Sequence, residues 1–273
     1  NSLIVLKIMP QQKQFKVLLI GDSCTDEYVY GTCERLNPEA PVPILKYNRK
    51  ETTDGMAMNV RKNLMSFGMK VYILTNEEPI TKTRYIDERS NQHILRVDDE
   101  GTCKPMKYKI PFDELSAYHK FPHETPPKDW YDALVISDYD KGFLNVQQIC
   151  ELVGWFDGPI FIDSKKTVLP TQGCFVKINQ TEKKLLNGDY NNLIVTKGAG
   201  GADYDGVNYP AEKTKIVDVV GAGDTFLAAL VYFHLLYGKI EEAIPFANKA
   251  AAIAVQNFGT YVLTEEDVQD LRD

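Results

Sequence analysis

Short apolar runs alternate with helical patterns through the second half of the chain. Each run has the length of a buried strand, and the segments between runs repeat their apolar residues with helical spacing. This alternation predicts an α/β protein with a mostly parallel sheet that is covered by helices on both faces. The predicted strands are residues 133–137, 160–162, 174–178 and 192–196, and the predicted long helices are residues 146–156, 224–237 and 241–258.

The first half of the chain is richer in β-branched and aromatic residues. Residues 16–20 and 71–74 are predicted as strands, separated by a helix that begins after Val60, runs to Phe67 and ends at Gly68. Prolines within residues 28–50 favour edge strands, and residues 83–86 and 93–97 predict a β-pair around a polar turn. In the proline-rich segment 105–127 we expect a loop with one short helix at residues 113–119.

Polar residues directly follow most of the predicted strands. The carboxyl ends of parallel strands meet at one edge of a sheet, where α/β proteins bind their ligands, so these residues are expected to converge. Aspartates there could hold the hydroxyls of a polyol, although a solvated turn with a capping residue is an equal alternative for Asp22 and Asp26. The residues are Asp22, Asp138, Asp163, Asn179, Thr196 and the turn at 221–224.

One stretch near the C-terminus has the pattern of an anion site. Residues 216–220 predict a strand, Gly221-Ala222-Gly223 a tight turn, and the apolar segment that follows a helix. This arrangement aims backbone N–H groups and the positive end of a helix at an anion, and Asp224 beside it suits a general base. An acidic first turn that only stabilises the helix is the alternative. The dinucleotide fingerprint and the P-loop are excluded, because Phe226 replaces the third glycine and Ile240 follows the only Gly-Lys pair.

The composition is that of a globular protein. A chain of 273 residues that is 44% hydrophobic can form one large domain, and its net charge of −7 argues against a nucleic-acid or anionic-membrane surface. The longest apolar run, residues 226–237, is too short to span a bilayer, and residues 1–9 lack the basic start of a secretory signal. Five scattered cysteines predict reduced thiols in a cytoplasmic protein: Cys24, Cys33, Cys103, Cys150 and Cys174.

Three motifs make the sequence similar to the ribokinase-like carbohydrate kinases, the pfkB family, from about residue 16 to residue 268. Residues 218–226 (DVVGAGDTF) resemble the highly specific C-terminal signature D-x-x-G-A-G-D-x-F. Residues 55–60 (GMAMNV) resemble the N-terminal signature G-G-x-x-N-V, and residues 179–182 (NQTE) the N-x-x-E motif. The resemblance implies a single ribokinase-like kinase domain over residues 1–273, with a small β lid formed by residues 28–47 and 83–97.

Four further segments resemble the heptose-7-phosphate kinases within this family, including the kinase half of a bifunctional ADP-heptose synthesis protein. They are residues 21–28, 37–43, 91–98 and 137–142. The resemblance implies ATP-dependent phosphorylation of a heptose 7-phosphate. A kinase for fructose, ribose, a nucleoside or a sugar acid is a second hypothesis. A third is a nucleotide-binding protein without turnover, against which the intact Asp224 argues.

The resemblance also implies the chemistry of the site. Asp224 would be the catalytic base, and the N–H groups of Gly221-Ala222-Gly223 would form an anion hole for the transferring phosphoryl group. Asn179 and Glu182 would organise Mg²⁺, with Glu182 acting through water because Mg²⁺ keeps much of its hydration shell. The implied cofactors are therefore ATP and Mg²⁺.

Binding residues are implied for both substrates. The nucleotide would contact Thr196, Gly198, Gly201, Lys165 and Asn248, with a solvated side chain as an equal alternative for Lys165. The sugar would contact Asp22, Asp26, Gly55, Met56, Asn59, Gln92, Asp138 and Lys141. The lid would exclude water from the reaction, and in relatives such lids also pair between subunits, so we expect a homodimer.

The sequence departs from the family pattern at two places. Met56 stands where the N-terminal signature has its second glycine, a residue that allows close backbone approach to the sugar. Residues 75–82 leave no room for the helix and further strand that the family usually has there, which predicts a narrower sheet.

Overall fold

The computed structural model describes residues 14–107 and 128–272, and the helix predicted at 113–119 lies outside them. In chain order, the strands are β1 (Lys16–Gly21), β2 (Ser23–Leu36), β3 (Pro43–Met56), β4 (Lys70–Leu74), β5 (Ile80–Asp87), β6 (Gln92–Glu100), β7 (Ala133–Asp138), β8 (Ile160–Ser164), β9 (Phe175–Asn179), β10 (Leu193–Thr196), β11 (Ala202–Tyr204) and β12 (Val207–Tyr209). The α-helices are α1 (Ala57–Ser66), α2 (Val146–Trp155), α3 (Gln180–Lys183), α4 (Ala222–Tyr237), α5 (Ile240–Ala254) and α6 (Glu265–Arg272).

The larger sheet has the order β12-β11-β10-β9-β8-β7-β1-β4. The six neighbouring strands β10, β9, β8, β7, β1 and β4 pair in parallel. Strands β11 and β12 form an antiparallel hairpin at one edge. The central strands β1 and β7 are almost entirely apolar, as expected of parallel strands that are buried on both faces. The predicted α/β class with a mostly parallel sheet is confirmed.

Two separate hydrophobic cores cover the two faces of this sheet. Successive side chains of a strand point to opposite faces, so Leu19 and Val135 pack in one core while Ile20 and Ile136 pack in the other. The first core contains the buried faces of α1, α4, α5 and α6, and the second contains that of α2. No helix among the described residues is long and apolar enough to cross a membrane.

A second, four-stranded sheet has the order β3-β2-β5-β6. Its β2–β3 and β5–β6 pairs are antiparallel and its β2–β5 pair is parallel. Strand β4 is the last strand of the larger sheet, and only residues 75–79 connect it to β5. The short connection therefore leads from the edge of the larger sheet directly into the smaller one, without an intervening helix or strand.

Three predicted elements differ from the structure, and the first is α1, which begins at Ala57 and not after Val60. Residues 216–220 are not a strand, because they lie beside no strand edge; the amides of Val217 and Asp218 instead both donate to the carbonyl of Val255. The last long helix ends at Ala254 and not at Phe258, whose ring packs against Tyr28 and Tyr30 of β2. In the second and third cases a tertiary contact overrides the local pattern. The hairpin β11–β12 and the short helices α3 and α6 were not predicted.

Candidate active site

Asp224 lies in the wall between two cavities, on the first turn of α4. The side-chain amide of Asn59, on α1, donates to Asp224 Oδ2 at 2.9 Å. The hydroxyl of Tyr139, in the loop after β7, donates to Asp224 Oδ1 at 2.8 Å. Both carboxylate oxygens are thus held by donors from different elements, and the same carboxylate lines both cavities.

The environment of Asp224 makes it a stronger base than an exposed aspartate. Burial raises its pKa from 3.8 to about 6, against the hydrogen bonds from Asn59 and Tyr139, which lower it. Nearby Asp163 raises the pKa further, and Lys177 opposes this. A carboxylate with a pKa of about 6 is ionised at neutral pH and close enough to it to take a proton efficiently.

The glycine turn before α4 presents free backbone donors. Gly221 has φ 77°, a left-handed conformation that favours glycine, and a Cβ there would lie 2.8 Å from Asn59 Nδ2. Among the described residues, no acceptor is bonded to the amides of Gly221 and Gly223. Together with the positive end of α4, these two amides could bind an anion. The amide of Ala222, which is also predicted to face the anion, instead donates to the carbonyl of Val219 at 3.3 Å.

Lys177 places a cation beside the glycine turn, and the sequence analysis did not predict this residue as part of the site. A Cβ at Gly223 would lie 3.0 Å from Lys177 Nζ, so the ammonium group is adjacent to the turn. Lys177 is buried on β9 and pairs with Asp163 Oδ2 at 2.6 Å. A lysine within the apolar run of β9 was the signal that could have revealed it, since lysines are seldom buried without a partner or a role.

The larger cavity has a volume of about 690 Å³, which falls in the range of sites for ligands the size of a nucleotide. It extends from the glycine turn past α3 to α5. Asn248, on α5, is held there by hydrogen bonds from its side-chain amide to the carbonyls of Tyr209 and Pro210. All the residues predicted to bind the nucleotide line it: Lys165, Asn179, Glu182, Thr196, Gly198, Gly201 and Asn248.

Asn179 and Glu182 form a capping box at the start of α3. Asn179 Oδ1 accepts from the amides of Thr181 and Glu182, and Glu182 Oε2 accepts from the amide of Asn179. Glu182 Oε1 accepts from Lys165 Nζ at 2.6 Å. Burial would raise the pKa of Glu182, but these hydrogen bonds lower it, so the side chain is ionised.

This donor set fits Mg²⁺ held mainly by water and phosphate. Among the described residues, no three acidic, histidine or cysteine side chains are grouped so as to hold a metal ion on their own. Mg²⁺ usually keeps several waters and takes one or two carboxylates beside substrate phosphates. A carboxylate has about four lone-pair sites, and the hydrogen bonds of Glu182 use two of them, so it can also accept from a metal-bound water.

The smaller cavity, of about 360 Å³, lies between the two sheets on the other side of Asp224. Asp26, Met56 and Lys141 line it, as predicted for sugar-binding residues. The smaller sheet contributes side chains that sequence reasoning did not assign to the site: Lys82, Arg84, Arg96, Asp98 and Glu100. The signature motifs contain none of these residues, and their inward direction depends on the register of β5 and β6.

The charges in the smaller cavity favour an anion. Arg84 pairs with Asp26, and Arg96 binds both carboxylate oxygens of Asp98, so these two pairs are neutral. Glu100, however, is shared by Lys82, at 3.3 Å, and Lys141. Two lysines on one carboxylate leave a positive charge that a phosphate can neutralise.

Met56 lines the smaller cavity, and Gly55 lies outside its lining but against Asp26. A Cβ at Gly55 would collide with Asp26 Oδ2 and lie 2.7 Å from Cys24 Sγ, so only glycine lets β3 approach this carboxylate. Met56 caps α1 with φ 56° and ψ −133°, a conformation that L-residues rarely adopt. The side chain that replaces the second signature glycine is thus buried in a backbone conformation suited to glycine.

Other residues predicted to bind the sugar lie outside the cavity lining. Asp22 accepts from the amides of Tyr139 and Lys141, and Asp138 accepts from Ser164 and the amide of Asp140, so both shape the loop after β7. Asn59 lines neither cavity and contacts the Asp224 carboxylate from α1. Gln92 is exposed at the start of β6, away from the inward-facing Arg96. Burial raises the pKa of Asp138 to about 6.

Comparison with known proteins defines the class. The model of the pfkB family carbohydrate kinases matches residues 171–267. Ribokinase from Thermotoga maritima has a TM-score of 0.68 and 16% identity over 94% of this chain and 99% of its own. Arabidopsis thaliana ribokinase, solved with ribose and ATP, has a TM-score of 0.67 and 15% identity over 95% and 99%. Residues 171–267 thus match the pfkB family of carbohydrate kinases, and the chain has the ribokinase-like fold, as its motifs predict.

Among curated proteins, the chain is similar to the bifunctional protein HldE of several bacteria. It is 29% identical to that of Nitratiruptor sp. over 93% of this chain and 64% of the relative, and 30% identical to that of Helicobacter acinonychis over 93% and 65%. The chain therefore spans less than two thirds of the length of these relatives. The alignment with the Nitratiruptor protein has 305 positions, more than the 273 residues of this chain. The Nitratiruptor protein therefore contains segments that are absent here.

Proposed function

We propose that the protein transfers the γ-phosphoryl group of ATP to a hydroxyl of a phosphorylated sugar, with a heptose 7-phosphate as the favoured acceptor. The position of Asp224 carries this proposal, because its carboxylate lies in the wall shared by the two cavities. One cavity has the size and lining for a nucleotide, and the other has a surplus of cations. A single base between them can serve a reaction in which the two ligands meet.

In the proposed reaction Asp224 accepts the proton of the attacking sugar hydroxyl. Its pKa of about 6 leaves it ionised at neutral pH, and Asn59 and Tyr139 hold it in place. The amides of Gly221 and Gly223 and the ammonium of Lys177 stabilise the charge on the phosphoryl group as it passes from ATP to the sugar oxygen. The sugar phosphate and ADP are the products.

The proposed cofactor Mg²⁺ would neutralise charge on the nucleotide phosphates. Glu182, fixed by the capping box with Asn179, would hold it through water, and Lys165 would contribute a second positive group at the same wall. Thr196, Gly198 and Gly201 would border the phosphates, and Asn248 the adenine. Gly201 has φ 83° and lies too close to the carbonyl of Tyr209 for any side chain.

The acceptor is proposed from the charges of the smaller cavity. Lys82 and Lys141 share Glu100, so the pair retains a positive charge at this site. A phosphate on the sugar would be bound there, which orients a hydroxyl at the opposite end of the acceptor towards Asp224. The resemblance to heptose-7-phosphate kinases and the similarity to HldE proteins support the heptose within this class.

The first test is ADP release with Mg-ATP and a panel of acceptors. D-glycero-D-manno-heptose 7-phosphate is compared with fructose 6-phosphate, fructose and ribose. Turnover of the heptose alone supports the full proposal, and turnover of an unphosphorylated sugar alone contradicts the acceptor class. Asp224→Asn is expected to abolish turnover while nucleotide binding persists, and Asp189→Asn, at an exposed position, is the control. Nucleotide binding by the parent without turnover of any acceptor would favour a non-catalytic protein.

A second test addresses the acceptor phosphate directly. Lys141→Gln is expected to raise the KM for the phosphorylated acceptor about tenfold, because it removes a charge-assisted hydrogen bond, and to leave the KM for ATP unchanged. Lys104→Gln is a matched control, because Lys104 pairs with Glu78 and does not line the cavity. An unchanged acceptor KM in Lys141→Gln would contradict the proposed phosphate site.

We further propose that the smaller sheet acts as a lid of a single kinase domain and pairs with the lid of a second copy. Large apolar side chains are exposed on it, among them Leu36, Tyr47 and Leu95. Such residues are expected to be covered in a dimer. Light scattering after gel filtration tests this, with Leu95→Lys expected to shift a dimer to monomer.

A cytoplasmic location is proposed because ATP is available there and the cysteines in the described residues are free.

A further inference from the structure

Tyr139 is anchored at both its backbone and its side chain. Its amide donates to Asp22 Oδ2 at 2.7 Å, and its hydroxyl donates to Asp224 Oδ1 at 2.8 Å. Burial raises the pKa of the Tyr139 hydroxyl well above its usual range, with the charge of Asp224 raising it further. The phenol therefore stays protonated and acts as a donor to Asp224.

The ring of Tyr139 forms part of the wall between the two cavities. The ammonium of Lys165 lies 4.9 Å from the ring centroid, and that of Lys82 lies 5.4 Å from it. Both distances are within the range of a cation–π interaction. Lys165 also pairs with Glu182 in the nucleotide cavity. One residue thus contacts the proposed base through its hydroxyl and a nucleotide-side lysine through its ring.

Two donors on opposite oxygens define the orientation of the Asp224 carboxylate. With only Asn59 on Oδ2, the group could turn about its terminal torsion, which has a broad energy minimum. The second bond from Tyr139 fixes it, and each oxygen still has lone-pair capacity for a sugar hydroxyl. In the part of the chain that the structure describes, the other titratable groups near Asp224 include Asp163 on β8, Lys177 on β9, Lys165 and the Cys24 thiol on β2.

We propose that Tyr139 is a positioning residue with two separable roles: its hydroxyl orients Asp224 towards the acceptor, and its ring holds Lys165 at the nucleotide. This inference rests on the proposed kinase function and deepens it. Asp22 supports both roles from outside the cavities, because its carboxylate fixes the backbone of Tyr139. This support is a role for the buried Asp22, which follows β1 and does not line the smaller cavity.

The two roles can be separated with two substitutions. Tyr139→Phe removes the hydroxyl and keeps the ring, so kcat is expected to fall about tenfold and the acidic limb of its pH profile to move up by about one unit, with the KM for ATP unchanged. Tyr139→Leu removes both, so the KM for ATP is also expected to rise several-fold. Tyr131→Phe is the matched control, because the hydroxyl of Tyr131 is buried without a hydrogen-bond partner in the described residues.

A direct titration separates this inference from the kinase proposal. The ¹³C carboxyl signal of Asp224, assigned with Asp224→Asn, is followed against pH in the parent and in Tyr139→Phe without any substrate. An upward shift of about one pKa unit supports the hydrogen bond even if no acceptor is turned over. An unchanged titration, or an equal shift in Tyr131→Phe, would overturn the hydroxyl role, and an unchanged KM for ATP in Tyr139→Leu would overturn the ring role.

Discussion

The side-chain amide of Asn59 is 2.9 Å from Asp224 Oδ2, and this hydrogen bond joins α1 to α4. Asn59 belongs to the N-terminal signature and Asp224 to the C-terminal one, so two distant motifs meet in one buried contact. Asn59 does not line either cavity. Its position indicates that it supports the base, whereas the family resemblance implies contact with the sugar for it.

Replacing Asn59 by leucine is expected to lower kcat about ten- to a hundredfold, because it removes a hydrogen bond to a charged group and leaves similar volume. The loss of a donor also raises the pKa of Asp224 further, so the acidic limb of the kcat profile should move to higher pH. Steady-state kinetics between pH 5 and 9 measure both effects. Asn187→Leu, at an exposed position, serves as the control. A change in the acceptor KM alone would instead indicate direct contact with the sugar.

The raised pKa of Asp224 has a defined effect on stability. Its pKa is about 6 in the folded protein against 3.8 for an unperturbed aspartate, so between these values the folded state binds more protons than the unfolded state. The contribution of Asp224 to stability is therefore greatest below pH 4 and is lost as the pH rises to about 6. Two pKa units correspond to a cost of about 3 kcal/mol at higher pH.

Asp224→Asn is accordingly expected to be inactive but more stable than the parent by about 1–3 kcal/mol at pH 8, with little difference at pH 4. Urea unfolding at the two pH values measures this. Asp138, whose pKa is also raised to about 6, is present in both proteins and cancels in the difference. Lower stability of the variant at pH 8 would mean that the charge of Asp224 is compensated in the folded state.

The backbone of Met56 makes a second stability prediction. Since its φ of 56° is unfavourable for any residue with a Cβ, Met56→Gly is expected to be more stable than Met56→Ala by about 1 kcal/mol. Both variants remove the buried side chain beyond Cβ and differ further only in one methyl group and in the backbone freedom of glycine, so backbone strain decides the sign of their difference. Thermal unfolding of the pair measures it. Equal stability, or a more stable alanine variant, would show that the backbone at this position is not strained.

Gly55 is expected to be intolerant of even a methyl group. A Cβ would displace the Asp26 carboxylate, which lines the acceptor cavity and pairs with Arg84. Gly55→Ala should therefore raise the acceptor KM at least about tenfold, since removing one buried charge from its partner costs more than about 1.4 kcal/mol. Gly101→Ala is the control, because nothing lies within 4 Å of a Cβ there. An unchanged acceptor KM in Gly55→Ala would show that Asp26 does not contribute to sugar binding.

Local pattern was sufficient for most of the larger sheet and failed where distant segments compete. The strands at residues 16–20, 71–74 and 133–137 were predicted because runs of apolar side chains that long are buried on both faces. Residues 216–220 are β-branched but pair with no neighbouring strand, and the amides of Val217 and Asp218 donate to the carbonyl of Val255. Phe258 lies outside the helix that was predicted to contain it, because its ring packs against the rings of Tyr28 and Tyr30.

By itself, the sequence determined the α/β class and the glycine turn with Asp224, and its N-x-x-E motif singled out Asn179 and Glu182, which form a capping box in the structure. Each of these depends on residues that are adjacent in the chain, where backbone geometry alone defines the arrangement. Only the tertiary structure decided that Lys177 lies beside Gly223, that Tyr139 bonds Asp224, and which charges of the smaller sheet face the base. Those contacts depend on strand register and on the packing of one sheet against the other, because a shift of one residue would turn every side chain of a strand to the opposite face.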